Sequence, residues 1–274
     1  MKIKINGIAV NIISQSFEVP QNKTPIIFLH GFTGSVNDWQ FIMQNVDSRY
    51  FPVAIDLPGH GDTEISDNVE SYTTEAIVNI ILTIVEKLKV PQVVLLGYSM
   101  GGRAALSFAT RHTSKIKALI LESATAGIEN TDERSNRLLS DMELAESIEK
   151  YGVEKFIRYW MELPLFESLK LLPDKEYQNI VKRKLANSRT GLANSLRGFS
   201  TGKMKSLWNE LPDFNFPILM VTGSLDKKYE TIANKMASLF PQAEHEIIPD
   251  AGHNIHLEKP KEFIKLVNNF LEKL

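Results

Sequence analysis

Short runs of apolar residues recur along the chain and predict the strands of a buried sheet. The clearest runs cover residues 25–29, 52–55, 93–96, 116–121 and 217–221, with a weaker one at 244–248. Segments with helical spacing of apolar positions lie between many of them, at 73–88, 101–112, 229–239 and 260–274. Because strands alternate with helices, we expect a mostly parallel sheet covered on both faces. The opening stretch, residues 3–17, alternates apolar and polar positions, which predicts an antiparallel edge.

One long segment interrupts this alternation. Residues 127–211 contain no convincing strand, but several charged stretches with helical spacing follow one another there. Thr131 and Asp132 suit the start of the first helix, because acidic residues are favourable in a first turn. We therefore predict an α/β core made of residues 1–126 and 212–274, with residues 127–211 as a helical cap over the carboxyl edge of the sheet.

Charge and composition exclude several classes of function. The 274 residues carry a net charge of −2 and include no cysteine. A near-neutral balance offers no basic surface for nucleic acid or for anionic lipid, and a chain without cysteine has no disulfide and no thiolate nucleophile. The first residues lack the unbroken apolar region of a signal peptide, and no run approaches the roughly eighteen apolar residues of a membrane span. We therefore expect a cytoplasmic protein that binds neither nucleic acid nor membrane.

The sequence Gly97-Tyr98-Ser99-Met100-Gly101 fits the G-x-S-x-G motif of a catalytic serine. An apolar strand precedes it and a small-residue helix follows it, which is the context that this motif requires. The two glycines flank a sharp turn in which a Cβ would crowd the neighbouring backbone. Such a turn exposes the Ser99 hydroxyl and directs a helix N-terminus at developing negative charge.

A serine of this kind needs a base, and the base needs an acid that fixes its tautomer. His253 lies between the last strand and the final helix, so it meets Ser99 at the carboxyl edge of the sheet. His256, three residues later, is the alternative base in the same loop. Asp226 directly follows the strand at 217–221, and the order Ser, Asp, His is that of the α/β-hydrolase fold. Glu122, which follows another strand, is the alternative acid.

The residues Leu29-His30-Gly31-Phe32-Thr33-Gly34 form a strand followed by a loop rich in glycine. This loop can present the Phe32 N–H, and the turn after Ser99 presents the Met100 N–H. Two such donors predict an oxyanion hole.

These motifs and several cap segments resemble one known family. Over its whole length the chain is similar to the α/β-hydrolase superfamily. From about residue 25 to 274 it more narrowly resembles the 2-succinyl-6-hydroxy-2,4-cyclohexadiene-1-carboxylate synthases of menaquinone (vitamin K2) biosynthesis. The segments that carry this resemblance are GYSMGGR, LESATAG, ENTDERSNRLLSD, YWMELPLFES, LANSRTGLANSLRG, TGKMKSLW and GHNIHLE.

The resemblance implies a carbon–oxygen lyase rather than a hydrolase. The family's substrate, 2-succinyl-5-enolpyruvyl-6-hydroxy-3-cyclohexene-1-carboxylate, is a small tricarboxylate that loses pyruvate, and no cofactor or metal takes part. Ser99, polarised by His253 and Asp226, would act as the base, while the oxyanion hole would hold the enolate-like charge. A monomer or a weak homo-oligomer is expected.

Arg103 is the predicted ligand for one substrate carboxylate. It lies four residues after Ser99, on the same face of the predicted helix. A buried guanidinium needs an anionic partner, and its planar fork matches a carboxylate. The alternative partner is a carboxylate of the protein itself, in an internal salt bridge.

Other positions match the family's substrate contacts. Arg137 stands in the R-x-x-S-D motif of the resemblance, and Tyr98 and Trp160 fall on active-site positions. Lys184 matches a cap arginine of the family, with Arg183 beside it as the alternative.

Two other functions use the same fold. A serine carboxylesterase or carbon–carbon bond hydrolase would use Ser99 as a covalent nucleophile, although a neutral ester gives no reason to keep two arginines. A non-enzymatic ligand receptor would not need the complete set of Ser99, Asp226 and His253.

Overall fold

The apolar runs of the sequence form the inner strands of one eight-stranded sheet. The computed structural model describes residues 1–274. Its strands are β1 Lys2–Ile5, β2 Ile8–Ile13, β3 Thr24–Leu29, β4 Tyr50–Ile55, β5 Val93–Tyr98, β6 Ile116–Glu122, β7 Ile218–Gly223 and β8 Ala243–Ile248. The sheet order is β1-β2-β4-β3-β5-β6-β7-β8. Strands β3 to β8 are parallel, whereas β1 and β2 form the predicted antiparallel edge.

Helices cover both faces of this sheet, so the predicted α/β class is confirmed. They are α1 Gln40–Asn45, α2 Thr74–Lys87, α3 Met100–Ala109, α4 Thr131–Met161, α5 Asp174–Leu185, α6 Arg189–Phe199, α7 Lys227–Ala237, α8 Ile255–Glu258 and α9 Pro260–Leu271. Short 3₁₀ helices occupy Val36–Trp39, Val69–Tyr72, Thr113–Lys115, Pro164–Leu171 and Trp208–Asp213. No helix is both long and apolar enough to cross a membrane.

Alternate residues of a strand supply two separate cores, because successive side chains point to opposite faces of the sheet. In β5, Val93 and Leu95 belong to the larger apolar cluster, which includes residues of α2 and α3. Val94 and Leu96 belong to the second cluster, which includes residues of α9. Burial on both faces explains why the parallel strands read as continuous apolar runs.

Between β6 and β7 the chain is helical, in the segment where the sequence predicts a cap. The first of its helices, α4, begins at Thr131, and the Asn130 side chain accepts hydrogen bonds from the first-turn N–H groups of this helix. A third apolar cluster, which includes Phe156 and Leu192, packs the helices of this segment together. Gly152 kinks α4 with a φ of 86°. The segment therefore has its own small core beside the two cores of the sheet.

Candidate active site

Ser99 lies at a strained turn between β5 and α3. Its φ of 49° and ψ of −104° are unusual for a residue with a side chain. A Cβ at Gly97 would overlap the Gly101 carbonyl group, and one at Gly101 would overlap the Leu29 carbonyl group. Glycine is therefore required on both sides of Ser99, as the motif predicts.

The predicted partners of Ser99 are assembled at the carboxyl edge of the sheet. His253 Nε2 lies 3.1 Å from the Ser99 Oγ, and His253 Nδ1 lies 2.6 Å from Asp226 Oδ2. His253 and Asp226 are both buried. The other Asp226 oxygen accepts the backbone N–H of Tyr229 at 3.3 Å, because Asp226 is the N-cap of α7. This geometry is that of a hydrogen-bonded Ser–His–Asp triad.

The alternative acid, Glu122, has another partner. Its carboxylate lies 2.8 Å from Nδ1 of His256 and also accepts the backbone N–H of His256 at 3.0 Å. The His256 ring stacks on Trp39 with 4.1 Å between centroids. Glu122 therefore makes its hydrogen bonds to the neighbouring histidine and none to His253.

The two predicted oxyanion donors are both at the cavity. Phe32 and Met100 line the same cavity as Ser99. Neither of their backbone N–H groups donates one of the backbone hydrogen bonds formed by turns, loops and helix caps. Thr33, which follows Phe32, has a φ of 66°. The cap holds this turn, because the Lys184 ammonium donates to the Thr33 hydroxyl at 3.0 Å and the Asn187 amide donates to the Thr33 carbonyl at 2.9 Å.

A large cavity separates the triad from the cap. Its volume is about 1510 Å³, and residues from both the core and the helical segment line it. Ser99 and His253 open onto it from the sheet. The other predicted site residues along its wall are Phe32, Tyr98, Met100, Arg103, Arg137, Trp160 and Asp226. Lys184 does not lie in this wall.

Arg103 is buried in the cavity wall without an acidic partner. One of its terminal nitrogens donates to the Phe199 carbonyl at 2.8 Å and lies 3.7 Å from the Met204 sulfur. Its guanidinium carbon is 4.7 Å from the centre of the Phe199 ring. Burial lowers the pKa of Arg103 to about 10, so it is a cation at neutral pH. Arg103 therefore does not form the internal salt bridge that the sequence analysis gave as the alternative.

Arg137 is held by the aspartate of its own motif. Its Nε donates to Asp141 at 2.8 Å, one helical turn further along α4. The second Asp141 oxygen accepts the backbone N–H of Gly202 at 3.4 Å. The R-x-x-S-D spacing therefore fixes an arginine at the cavity by an i, i+4 ion pair.

The two predicted aromatic residues line the cavity from different elements, Tyr98 from β5 and Trp160 from α4. The Tyr98 ring lies 5.3 Å from the His253 ring, and burial raises the pKa of Tyr98 well above its ordinary value. Trp160 belongs to the cap and packs against Phe32 and Phe166. Its indole N–H is buried without a hydrogen-bond partner in the protein.

Arg183 and Lys184 lie at the end of α5 beside the oxyanion loop. Arg183 forms an ion pair with Asp38 at 3.0 Å. Burial lowers the pKa of Lys184, and the charge of Asp38 partly opposes that shift. Lys184 thus contacts the loop that carries Phe32, whereas Arg183 contacts the 3₁₀ helix that follows this loop. A contact of either side chain with substrate remains a prediction.

Tyr229 is a site residue that the sequence analysis did not identify. Its ring lies 4.4 Å from the His253 ring, and it lines the cavity beside Ser99 and Arg103. The available signal was its position three residues after Asp226. Asp226 caps α7, and the first turn of this helix places Tyr229 beside His253.

Comparisons with known proteins agree with this geometry. A family model described as the alpha/beta hydrolase fold matches residues 24–260. A Bacillus subtilis (strain 168) protein, provisionally named 2-succinyl-6-hydroxy-2,4-cyclohexadiene-1-carboxylate synthase, is 39% identical over 94% of this chain and 93% of its own. The Enterobacter sp. (strain 638) protein with that synthase name is 29% identical over 86% of each chain.

Solved structures give the same result. The structure of MenH from S. aureus matches with a TM-score of 0.91 and 33% identity, covering 96% of this chain and 98% of that one. A thermophilic esterase from Thermogutta terrifontis, at 23% identity and a TM-score of 0.84, shares the fold. The chain therefore belongs to the α/β-hydrolase family.

Proposed function

We propose that this enzyme is a lyase that eliminates pyruvate from 2-succinyl-5-enolpyruvyl-6-hydroxy-3-cyclohexene-1-carboxylate, giving 2-succinyl-6-hydroxy-2,4-cyclohexadiene-1-carboxylate. The observation that carries this proposal is one cavity that contains a complete Ser–His–Asp triad and the buried, unpaired cation of Arg103. A site for a neutral ester has no use for such a cation, whereas a tricarboxylate supplies its missing partner. The names of two relatives give the product of this reaction, 2-succinyl-6-hydroxy-2,4-cyclohexadiene-1-carboxylate, and so support the proposal.

In this mechanism Ser99 removes a carbon-bound proton from the substrate ring. His253 accepts the proton of the Ser99 hydroxyl, and Asp226 stabilises the resulting imidazolium. The electron pair of the broken C–H bond leads to the new ring double bond, and the C–O bond to the enolpyruvyl group breaks. The proton taken from the substrate restores the Ser99 hydroxyl, and the His253 imidazolium gives its proton to the leaving enolate, which becomes pyruvate. Ser99 and His253 thus return to their starting protonation states without a cofactor.

The remaining polar groups hold the substrate and its developing charge. The N–H groups of Phe32 and Met100 face the enolate-like oxygen, where such donors contribute roughly 3 kcal/mol each. Arg103 and Arg137 bind carboxylates, and Tyr98 and Trp160 form the walls between them. Lys184, whose ammonium contacts Thr33, stands behind the oxyanion loop.

Pyruvate release from the enolpyruvyl substrate tests this function directly. A coupled lactate dehydrogenase assay follows the product, with the Ser99→Ala variant as the matched control. We expect rapid release by the wild-type protein and almost none by the variant. Equal rates for the two proteins would overturn the proposal.

The second candidate is a serine hydrolase, because the Ser99–His253 distance of 3.1 Å also suits an attacking nucleophile. The two functions differ in whether a covalent intermediate forms. Rapid quenching followed by intact mass measurement distinguishes them, since only the hydrolase accumulates an acyl-enzyme.

A further inference from the structure

The hydroxyl group of Tyr229 differs from those of two other buried tyrosines, Tyr50 and Tyr72, whose hydroxyls donate to backbone carbonyls. The Tyr50 hydroxyl donates to the Leu271 carbonyl at 2.9 Å, and the Tyr72 hydroxyl donates to the Ser66 carbonyl at 2.7 Å. The Tyr229 hydroxyl makes no such hydrogen bond to a backbone carbonyl, although the residue is half-buried. It is also absent from the enclosed polar atoms that lack a partner. It therefore opens into the cavity, where a ligand can reach it.

The surroundings of this hydroxyl define what it can bind. Tyr229 lines the cavity together with Ser99 and Arg103, and both the Ser99 side chain, as a hydrogen-bonding neighbour, and the charge of Arg103 act on its hydroxyl. Burial raises the pKa of Tyr229, and the charges of Arg103 and Arg137 only partly oppose that shift. The phenol is therefore neutral at physiological pH. A neutral phenol beside a guanidinium is a hydrogen-bond donor suited to an anionic oxygen.

Arg103 leaves donors free for the same oxygen. One of its terminal nitrogens is used by the Phe199 carbonyl, while a guanidinium carries five N–H donors in a fixed fork. The Tyr229 hydroxyl approaches from α7 and Arg103 from α3, so the two donors reach one region of the cavity from different elements. Ser99 lies next to that region.

We propose that the Tyr229 hydroxyl donates a hydrogen bond to an anionic oxygen of the substrate, a carboxylate held by Arg103 beside the reacting proton. This assignment rests on the proposed function, because it takes the ligand to be a polycarboxylate. Tyr229 thereby sets the distance between the bound carboxylate and Ser99. The ring itself has a separate role in packing against His253, and phenylalanine would preserve that role.

The Tyr229→Phe variant tests the hydroxyl alone. We expect kcat/KM for pyruvate release to fall about 10- to 100-fold, the range for a hydrogen bond to a charged group, with an unchanged melting temperature. Tyr177→Phe is the matched control, since Tyr177 is a half-buried cap tyrosine that does not line the cavity. Its kcat/KM should stay within twofold of the wild-type value.

A binding measurement keeps this inference separate from the proposed reaction. If the wild-type protein releases no pyruvate, titration calorimetry measures the Kd of 2-succinylbenzoate instead. This stable aromatic dicarboxylate retains the product's two carboxylates. A Kd that rises about tenfold in Tyr229→Phe would then support the inference while the reaction fails. Values within twofold of wild type for Tyr229→Phe, in kcat/KM or in that Kd, would overturn it. A wild-type protein that neither releases pyruvate nor binds the dicarboxylate would overturn it as well.

Discussion

Two buried carboxylate–histidine pairs lie side by side in this molecule, and their histidines are only three residues apart. Asp226 pairs with Nδ1 of His253 at 2.6 Å, and Glu122 pairs with Nδ1 of His256 at 2.8 Å. Each pair joins a residue at or just after a strand end to the segment that carries His253 and the start of α8. Their chemistry is nearly the same, yet only the pair of Asp226 and His253 contacts Ser99 at the cavity.

The second ring nitrogen makes the difference. His253 Nε2 reaches Ser99 at the cavity, whereas His256 Nε2 is enclosed without a partner and its ring stacks on Trp39. Glu122 also accepts the backbone N–H of His256 and so anchors the start of α8 to β6. A carboxylate–imidazole pair thus acts in proton transfer only where the far nitrogen meets a reactive group in an open site. Elsewhere it serves the fold.

Removal of Ser99 should give the largest loss of activity. Ser99→Ala leaves both buried pairs intact but deprives His253 of its only reactive neighbour. We expect kcat for pyruvate release to fall by about 10⁴-fold or more, because the triad acts as a unit. An acyl adduct trapped on wild-type Ser99 during turnover would contradict its role as a base.

Replacing one carboxylate oxygen of each acid by an amide nitrogen tests the difference between the two pairs most directly. Asp226→Asn should lower kcat by roughly 10³- to 10⁴-fold, because the amide favours the wrong imidazole tautomer of His253. Glu122→Gln should lower it less than tenfold in the same pyruvate assay. The opposite ranking would make Glu122 the triad acid.

The same two variants should rank in the opposite order in stability, with Glu122→Gln losing more free energy of unfolding than Asp226→Asn. Glu122→Gln weakens a fully enclosed network that includes a backbone N–H, so the free energy of unfolding should fall by about 3 kcal/mol. Asp226→Asn retains an oxygen for the capping bond to the Tyr229 N–H and should cost less. Denaturant unfolding of both variants measures the difference, and equal values would remove the distinction between a structural and a catalytic pair.

The triad could be predicted because its members directly follow strands. The runs of apolar residues at 93–96 and 217–221 locate β5 and β7, and Ser99 and Asp226 come within a few residues of their ends. Parallel strands bring their carboxyl ends to one edge of the sheet, so residues that follow these strands meet at that edge. Local signals were sufficient for this half of the molecule.

The cap side could not be predicted in the same way. Lys184 contacts Thr33 across 151 positions of sequence, and that contact depends on how α5 docks over the loop. The Tyr229 hydroxyl likewise depends on the rotation of α7 after its capped start. Such contacts are set by packing between elements, for which the sequence carries no short-range pattern.

Arg103→Met extends the comparison from paired to unpaired charges. Arg103 forms no ion pair, so its removal strands no carboxylate. The melting temperature should be unchanged or higher, while kcat/KM falls about 100-fold through loss of a charge-assisted contact. Arg103→Lys should recover little, because a point charge cannot replace the planar fork. A clear drop in melting temperature with normal turnover would show that Arg103 serves the fold.

At Lys184 the structure and the family resemblance suggest different roles. The ammonium donates to Thr33, which follows Phe32 and has a left-handed φ, so Lys184 holds the turn that we expect to present the Phe32 N–H to the cavity. Lys184→Met should loosen that donor without removing it, so kcat should fall about tenfold, a fraction of the full loss of an oxyanion donor. KM should change less than twofold, because Lys184 does not line the cavity. Lys182→Met, at an exposed position of the same helix, is the control. If KM instead rises tenfold at constant kcat, Lys184 binds the substrate directly and the loop is held by Asn187 alone.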